Sequence, residues 1–231
     1  MTAEWAIDGS DFYQLLAAAF RYPTRELTDG LCSGAFSADA RDCLTGLEVP
    51  GAGEICARVE RAAARFAPKE LYERMRIEYT RLFLIPKKEE IFVYESRFCY
   101  PKEADPKDYS MFVSPCALHA EQVYKEAGVR VREGKREPAD HMATELEFMA
   151  FLCRKTAEAL AGSCAGAKSE RQEAEEEVLL WRKRREDFEK QHLKRWCLPF
   201  FCQVEEKSEL EVYQSLAALG KEVSHVFGSS R

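Results

Sequence analysis

Asp140-His141 stands directly ahead of a helical run of apolar residues, and two Glu-x-x-His spacings follow it, Glu189 with His192 and Glu222 with His225. The first pair is of the kind that orients an imidazole for base catalysis. The other two are of the kind that di-iron helical bundles use to ligate metal from one helix face. Catalysis at Asp140-His141 lacks a nucleophile, because no serine or cysteine in a local elbow motif points to the pair. Capping explains the aspartate instead. With Glu137 as cap and Pro138 at the first helical position, where its missing N–H costs nothing, Asp140 falls at the third position among free backbone N–H groups. His141 then shares a helical face with Glu145, Phe148 and Leu152. For a metal, Glu78 and Glu145 would be the further carboxylates. Glutamate is abundant, however, and His192 lies on an apolar stripe, where a hydrogen-bonded core histidine is the commoner occupant.

Other chemistry is weaker. The run Gly162 to Ser169 looks like a phosphate-binding loop, but its second glycine comes one position early, alanine separates that glycine from Lys168, and a helix precedes it. It reads as an inter-helix linker. "WRKRRE" at 181–186 follows an acidic stretch and reads as an ion-paired, solvated helix face. A net charge of −6 argues against nucleic acid and anionic membrane and tolerates a cationic partner. Nine cysteines from Cys32 to Cys202 contain no CxxC pair and read as reduced thiols, mostly in cores.

The elements that must position these residues are helical. Only 12 glycines and 9 prolines in 231 residues, with 46% hydrophobic and 32% charged residues, favour an all-α fold. Ser10 is the expected cap of a first helix carrying Phe12, Leu16, Ala19 and Phe20 and ended by Pro23. A second helical stretch runs from Gly53 to Ile85, broken at Pro68. Residues 86–108 carry three prolines and no lasting period, which predicts a long ordered loop of the kind that is often functional. Ser114-Pro115 starts another helix, with Gly128 at its end. The basic stretch 129–137 reads as a hinge between an N-terminal lobe, 1–128, and a C-terminal lobe, 138–231. Val178, Trp181, Phe188, His192 and Trp196 predict a long amphipathic helix stopped by Pro199, and a last helix begins near Ser208. No signal peptide or apolar membrane span is apparent, so the chain is expected in the cytoplasm.

Several blocks, in chain order, resemble a known family: "LLAAAFRYPTREL" (15–27), "EYTRLFLIP" (78–86), "VYES" (93–96), "EPADHMATELEFMAFL" (137–152) and "HLKRW" followed by Phe200. The chain is similar to the TorD/DmsD/NarJ redox-enzyme maturation chaperones, with Glu-Pro-x-Asp-His as the most specific block. Ile85 and Val93 depart from the pattern, standing where relatives usually have glycine and proline. The resemblance implies a single TorD-like domain of about ten helices in two lobes. It also implies a non-enzymatic cytoplasmic chaperone, without cofactor or metal, that binds the twin-arginine leader and the mature part of a molybdopterin-dependent oxidoreductase catalytic subunit. Such a protein assists cofactor insertion before export and exists as a monomer or a lobe-swapped dimer. By position, Glu137, Pro138, Asp140 and His141 would form the leader-binding surface with Tyr94, Glu95 and Ser96.

A leader's paired guanidinium groups and apolar stretch call for carboxylates beside a hydrophobic groove. Glu137, Asp140 and Glu95 suit the first, and Tyr94, Phe98, Met142 and Trp196 the second. Asp140 would divide its carboxylate between its own helix start and the arginine. Two other classes stay open on sequence: a metal-dependent, di-iron-like helical-bundle enzyme, and a general helical adaptor.

Overall fold

Helices begin where the sequence offers a hydroxyl cap. Thr2, Thr24 and Ser114 accept from the backbone N–H three residues on, at 3.1, 3.2 and 3.1 Å. The structure is a computed structural model that describes residues 1–84, 91–100, 114–129, 138–163 and 168–226. Its helices are α1 (Ala3–Phe20), α2 (Arg25–Ser33), α3 (Ala35–Gly46), α4 (Ala52–Ala63), α5 (Pro68–Tyr79), α6 (Glu95–Phe98), α7 (Pro115–Glu126), α8 (Met142–Ser163), α9 (Lys168–Phe188), α10 (Lys194–Lys207), α11 (Glu211–Lys221) and α12 (Val223–Val226). One π-turn, Thr80–Leu84, follows α5, and another, Glu189–Leu193, joins α9 to α10. The fold is all-α. Among the described residues the sole β feature is an isolated antiparallel bridge between Tyr94 and His141, and no helix is long and apolar enough to cross a membrane.

Two expected helix ends move. Ser10 does not cap α1 but lies buried in its middle, because the apolar face already starts at Ala6 and Thr2 supplies the cap. Pro199 does not stop the long helix; it sits inside α10 on the exposed side. Burial of Trp196, Phe200, Phe201 and Val204 around it outweighs one lost backbone hydrogen bond. Gly128 does end α7 in the left-handed region, at φ 81°. The eight described cysteines are free.

Helix α1 packs most extensively along α8, α8 against α9, and α11 against both α10 and α4. Phe20 meets Phe201 and Phe200 at 5.0 and 5.7 Å, Phe200 meets Trp196 at 5.6 Å, and Trp196 meets Phe98 at 5.5 Å. This aromatic chain ties α1 through α10 to the short α6. The expected lobes therefore share one core, in which α1 is buried against α8 from across residues 129–137.

Candidate functional site

The Tyr-Glu-Ser block and the Pro-x-Asp-His block, 44 positions apart, join backbone to backbone. The Glu95 N–H donates to the Asp140 carbonyl at 2.9 Å and the Met142 N–H to the Val93 carbonyl at 2.8 Å. Helix α6 has Tyr94 as its N-cap residue, which offers no side-chain acceptor. Asp140 supplies it: its Oδ2 accepts from the Ser96 N–H at 2.9 Å. The aspartate expected at the third position of its own helix thus caps a different one, and α8 starts two residues after it. His141 caps α8, its Nδ1 accepting from the Ala143 N–H at 3.1 Å. Burial lowers the His141 pKa to about 3, so the ring is neutral and keeps that lone pair. Burial raises Asp140, and the Ser96 hydrogen bonds only partly pull it back.

Below this junction lies a polar cluster. Glu95 is fully buried, and its Oε2 accepts from His192 Nδ1 at 2.7 Å and from the Cys116 thiol at 2.6 Å, while Oε1 accepts from Arg195 at 3.2 Å. Burial opposes its charge; the His192 and Cys116 hydrogen bonds and the charges of His192 and Arg195 outweigh burial and hold its pKa below the ordinary range. Glu145, also fully buried, accepts from the Trp196 indole at 3.0 Å. Burial first, and then the Glu95 charge, push Glu145 well above the usual range, so it is held neutral. His119 faces the far side of His192, Nδ1 to Nε2 at 2.9 Å, and Phe188 stacks on the same ring at 4.5 Å.

The structure brings Tyr94, Glu95, Ser96, Pro138, Asp140 and His141 together, with Trp196 one layer beneath. It does not present them as an open surface. Pro138, Glu95, Asp140, His141 and Trp196 are buried, and only Tyr94 and Ser96 are partly exposed. The reason is that the two blocks satisfy each other. Met142 is core as well, and Glu137 and Ile85 lie outside the described residues. Among the described residues, the two Glu-x-x-His spacings do not come together as one metal-binding group. The π-turn sends Glu189 to Lys194 at 2.6 Å and His192 to Glu95, while Glu222 and His225 sit 3.5 Å apart with the histidine half exposed. The "WRKRRE" face is only partly solvated: Arg185 is buried beside Glu189, with 3.6 Å between Nη1 and Oε2. Cys116, His119 and Arg195 escaped sequence reasoning. Cys116 and His119 follow the same helical spacing as the glutamate–histidine pairs, which is the signal that was there to find.

The fold and the sequence each have a counterpart among known proteins. The chain is similar to a crystal structure from Archaeoglobus fulgidus, of a protein whose name proposes a role in redox enzyme maturation, with a TM-score of 0.50 over 93% of each chain at 19% identity. No curated protein matches the sequence. The nitrate reductase delta subunit family matches residues 50–202, more than half of the chain, and the chain belongs to that family, which is of the NarJ/TorD chaperone type.

Proposed function

We propose that this maturation chaperone binds the twin-arginine leader of a molybdopterin-dependent oxidoreductase catalytic subunit, engages the mature part of that subunit, and assists cofactor insertion before export. On this reading it acts in the cytoplasm and catalyses no reaction. The observation that carries the reading is Arg195. Its half-exposed guanidinium rests on the buried Glu95 carboxylate at 3.2 Å, beside the partly exposed Tyr94 and Ser96. A carboxylate that takes a guanidinium from the solvent side is the receptor a leader arginine needs, and Arg195 would swing out as the leader enters.

A second reading is favoured by an open cleft of about 420 Å³ between α1 and α3, lined by Asp8, Asp11, Asp39 and Asp42 around Leu15 and Ala18. Burial and then the neighbouring carboxylates of Asp11, Glu4 and Asp42 raise the Asp8 pKa. A cationic leader segment would relieve that crowding.

Fluorescence anisotropy with a labelled leader peptide tests both readings. Loss of one charge-assisted contact costs about 1.5–3 kcal/mol, or roughly 10- to 100-fold in affinity. Glu95→Gln should show that loss if the junction is the receptor, and Asp8→Asn with Asp42→Asn if the cleft is. A peptide whose arginine pair is replaced by alanines should bind weakly in either case. Undiminished binding of that peptide would sink the twin-arginine reading.

A further inference from the structure

The Glu95 cluster also carries the donor set of a zinc site, a role independent of whether a leader binds at the junction. Glu95 Oε2, Cys116 Sγ and His192 Nδ1 lie within 4.8 Å of one another. The oxygen stands 2.6 Å from the sulfur and 2.7 Å from the nitrogen, and sulfur and nitrogen are 3.9 Å apart. Thiolate, imidazole and carboxylate are the ligand types zinc takes, at about 2.3 Å for sulfur and about 2.0–2.2 Å for nitrogen and oxygen. Tetrahedral donors at those lengths are about 3.2–3.7 Å from each other. The Glu95 oxygen therefore has to move by about 1 Å or less as an ion takes the place of the hydrogens it now accepts.

Glu145 points the same way independently. Its Oε1 is fully buried, has no hydrogen-bond partner among the described residues, and lies 4.0 Å from His192 Nδ1. Held neutral, Glu145 keeps a buried proton beside the Glu95 carboxylate, and a cation at the centre of the cluster would take that proton's place and use the oxygen as a ligand. His192 also has the outer contact expected of a metal-bound imidazole, with Nε2 facing His119 Nδ1 at 2.9 Å. Charge closes too. Two carboxylates and a thiolate around a dication leave one surplus negative charge, and Arg195 on Glu95 Oε1, the oxygen turned from the cluster, balances it.

We propose that Glu95, Cys116, His192 and Glu145 form a structural zinc site that clamps α7 to α6, α8 and the π-turn at Glu189–Leu193. Binding releases the Cys116 thiol proton and the Glu145 carboxyl proton to solvent. His192 gives up the Nδ1 hydrogen it now directs at Glu95 and binds through that nitrogen, so that thiolate, imidazole and both carboxylates become ligands.

Cobalt(II) titration of the chelator-treated, full-length protein tests the site, since cobalt takes zinc's geometry and reports a thiolate ligand by sulfur-to-cobalt charge-transfer absorption in the near ultraviolet. One equivalent is expected to produce that band. It should vanish in Cys116→Ser, and affinity should fall at least tenfold in His192→Gln, while His225→Ala binds as the parent does. Zinc should raise the melting temperature of the parent and not of Cys116→Ser, whose fold is checked by circular dichroism without metal. Absence of the band in the parent protein overturns the proposal, as does an equal band in Cys116→Ser, which would assign the ion to another cysteine.

Discussion

At the scale of the residue, Asp140, His141 and Glu145 do three different jobs within six positions. Asp140 caps α6, His141 caps α8, and Glu145 holds the Trp196 indole. Asp140→Ala is expected to cost about 1 kcal/mol, the usual worth of a helix cap. Faster hydrogen exchange at the Ser96 amide would report it. His141 titrates near 6.5 in an unfolded chain and about 3 in the fold. As pH falls the unfolded form binds the proton first, so this histidine's contribution is full above about 6.5 and declines by about 1.4 kcal/mol per pH unit towards 3. Glu145 has the opposite sign. Its pKa is raised on folding, so it favours the native state below 4.5 and that contribution is lost as pH rises. Glu145→Gln keeps an acceptor for Trp196 and removes the titration. Its urea midpoint should exceed the parent's at pH 8 and match it at pH 4, and a difference that does not vary with pH would count against a neutral Glu145.

At the scale of the element, two substitutions separate intrinsic propensity from packing. A Cβ on Gly220 would stand 2.7 Å from the Phe201 ring, where α11 presses on α10. Gly220→Ala is therefore expected to destabilise by about 1–3 kcal/mol, although alanine is the better helix former. Pro199, exposed inside α10, has the reverse balance: Pro199→Ala restores a backbone donor and should stabilise by about 1–2 kcal/mol, read from the urea midpoint. Helix type was legible wherever apolar residues recurred at steps of three and four, as from Val178 to Trp196. Helix ends were less so. Ser10 looked like a cap and Pro199 like a stop because local chemistry permits either, and the long-range burial that overrules it is invisible in a short window.

At the scale of the whole molecule, α1 and α8 form the main seam, so residues on both sides of 129–137 should unfold together. A single urea transition, coincident by circular dichroism and tryptophan fluorescence, is the expected result. A fragment ending at Val129 should show no cooperative transition, because it lacks α8, the main packing partner of α1, and α10, whose Phe200 and Phe201 meet Phe20. Folding of that fragment on its own would instead support two separable lobes.

The sequence alone determined the helical class, through its periodicity and its few glycines and prolines. It also determined the family, through Tyr-Glu-Ser, Glu-Pro-x-Asp-His and their order along the chain. It named Tyr94, Glu95, Ser96, Asp140 and His141 as residues that belong together. Only the tertiary structure decided how. Asp140 caps the helix of its partner block rather than its own, and His192 turns from Glu189 to Glu95. Cys116 and Arg195 come from distant positions to complete the cluster. The physical reason is that capping, burial and charge pairing act on whatever group lies nearest in space, and neighbours contributed by α6, α7 and the π-turn cannot be read from a linear spacing.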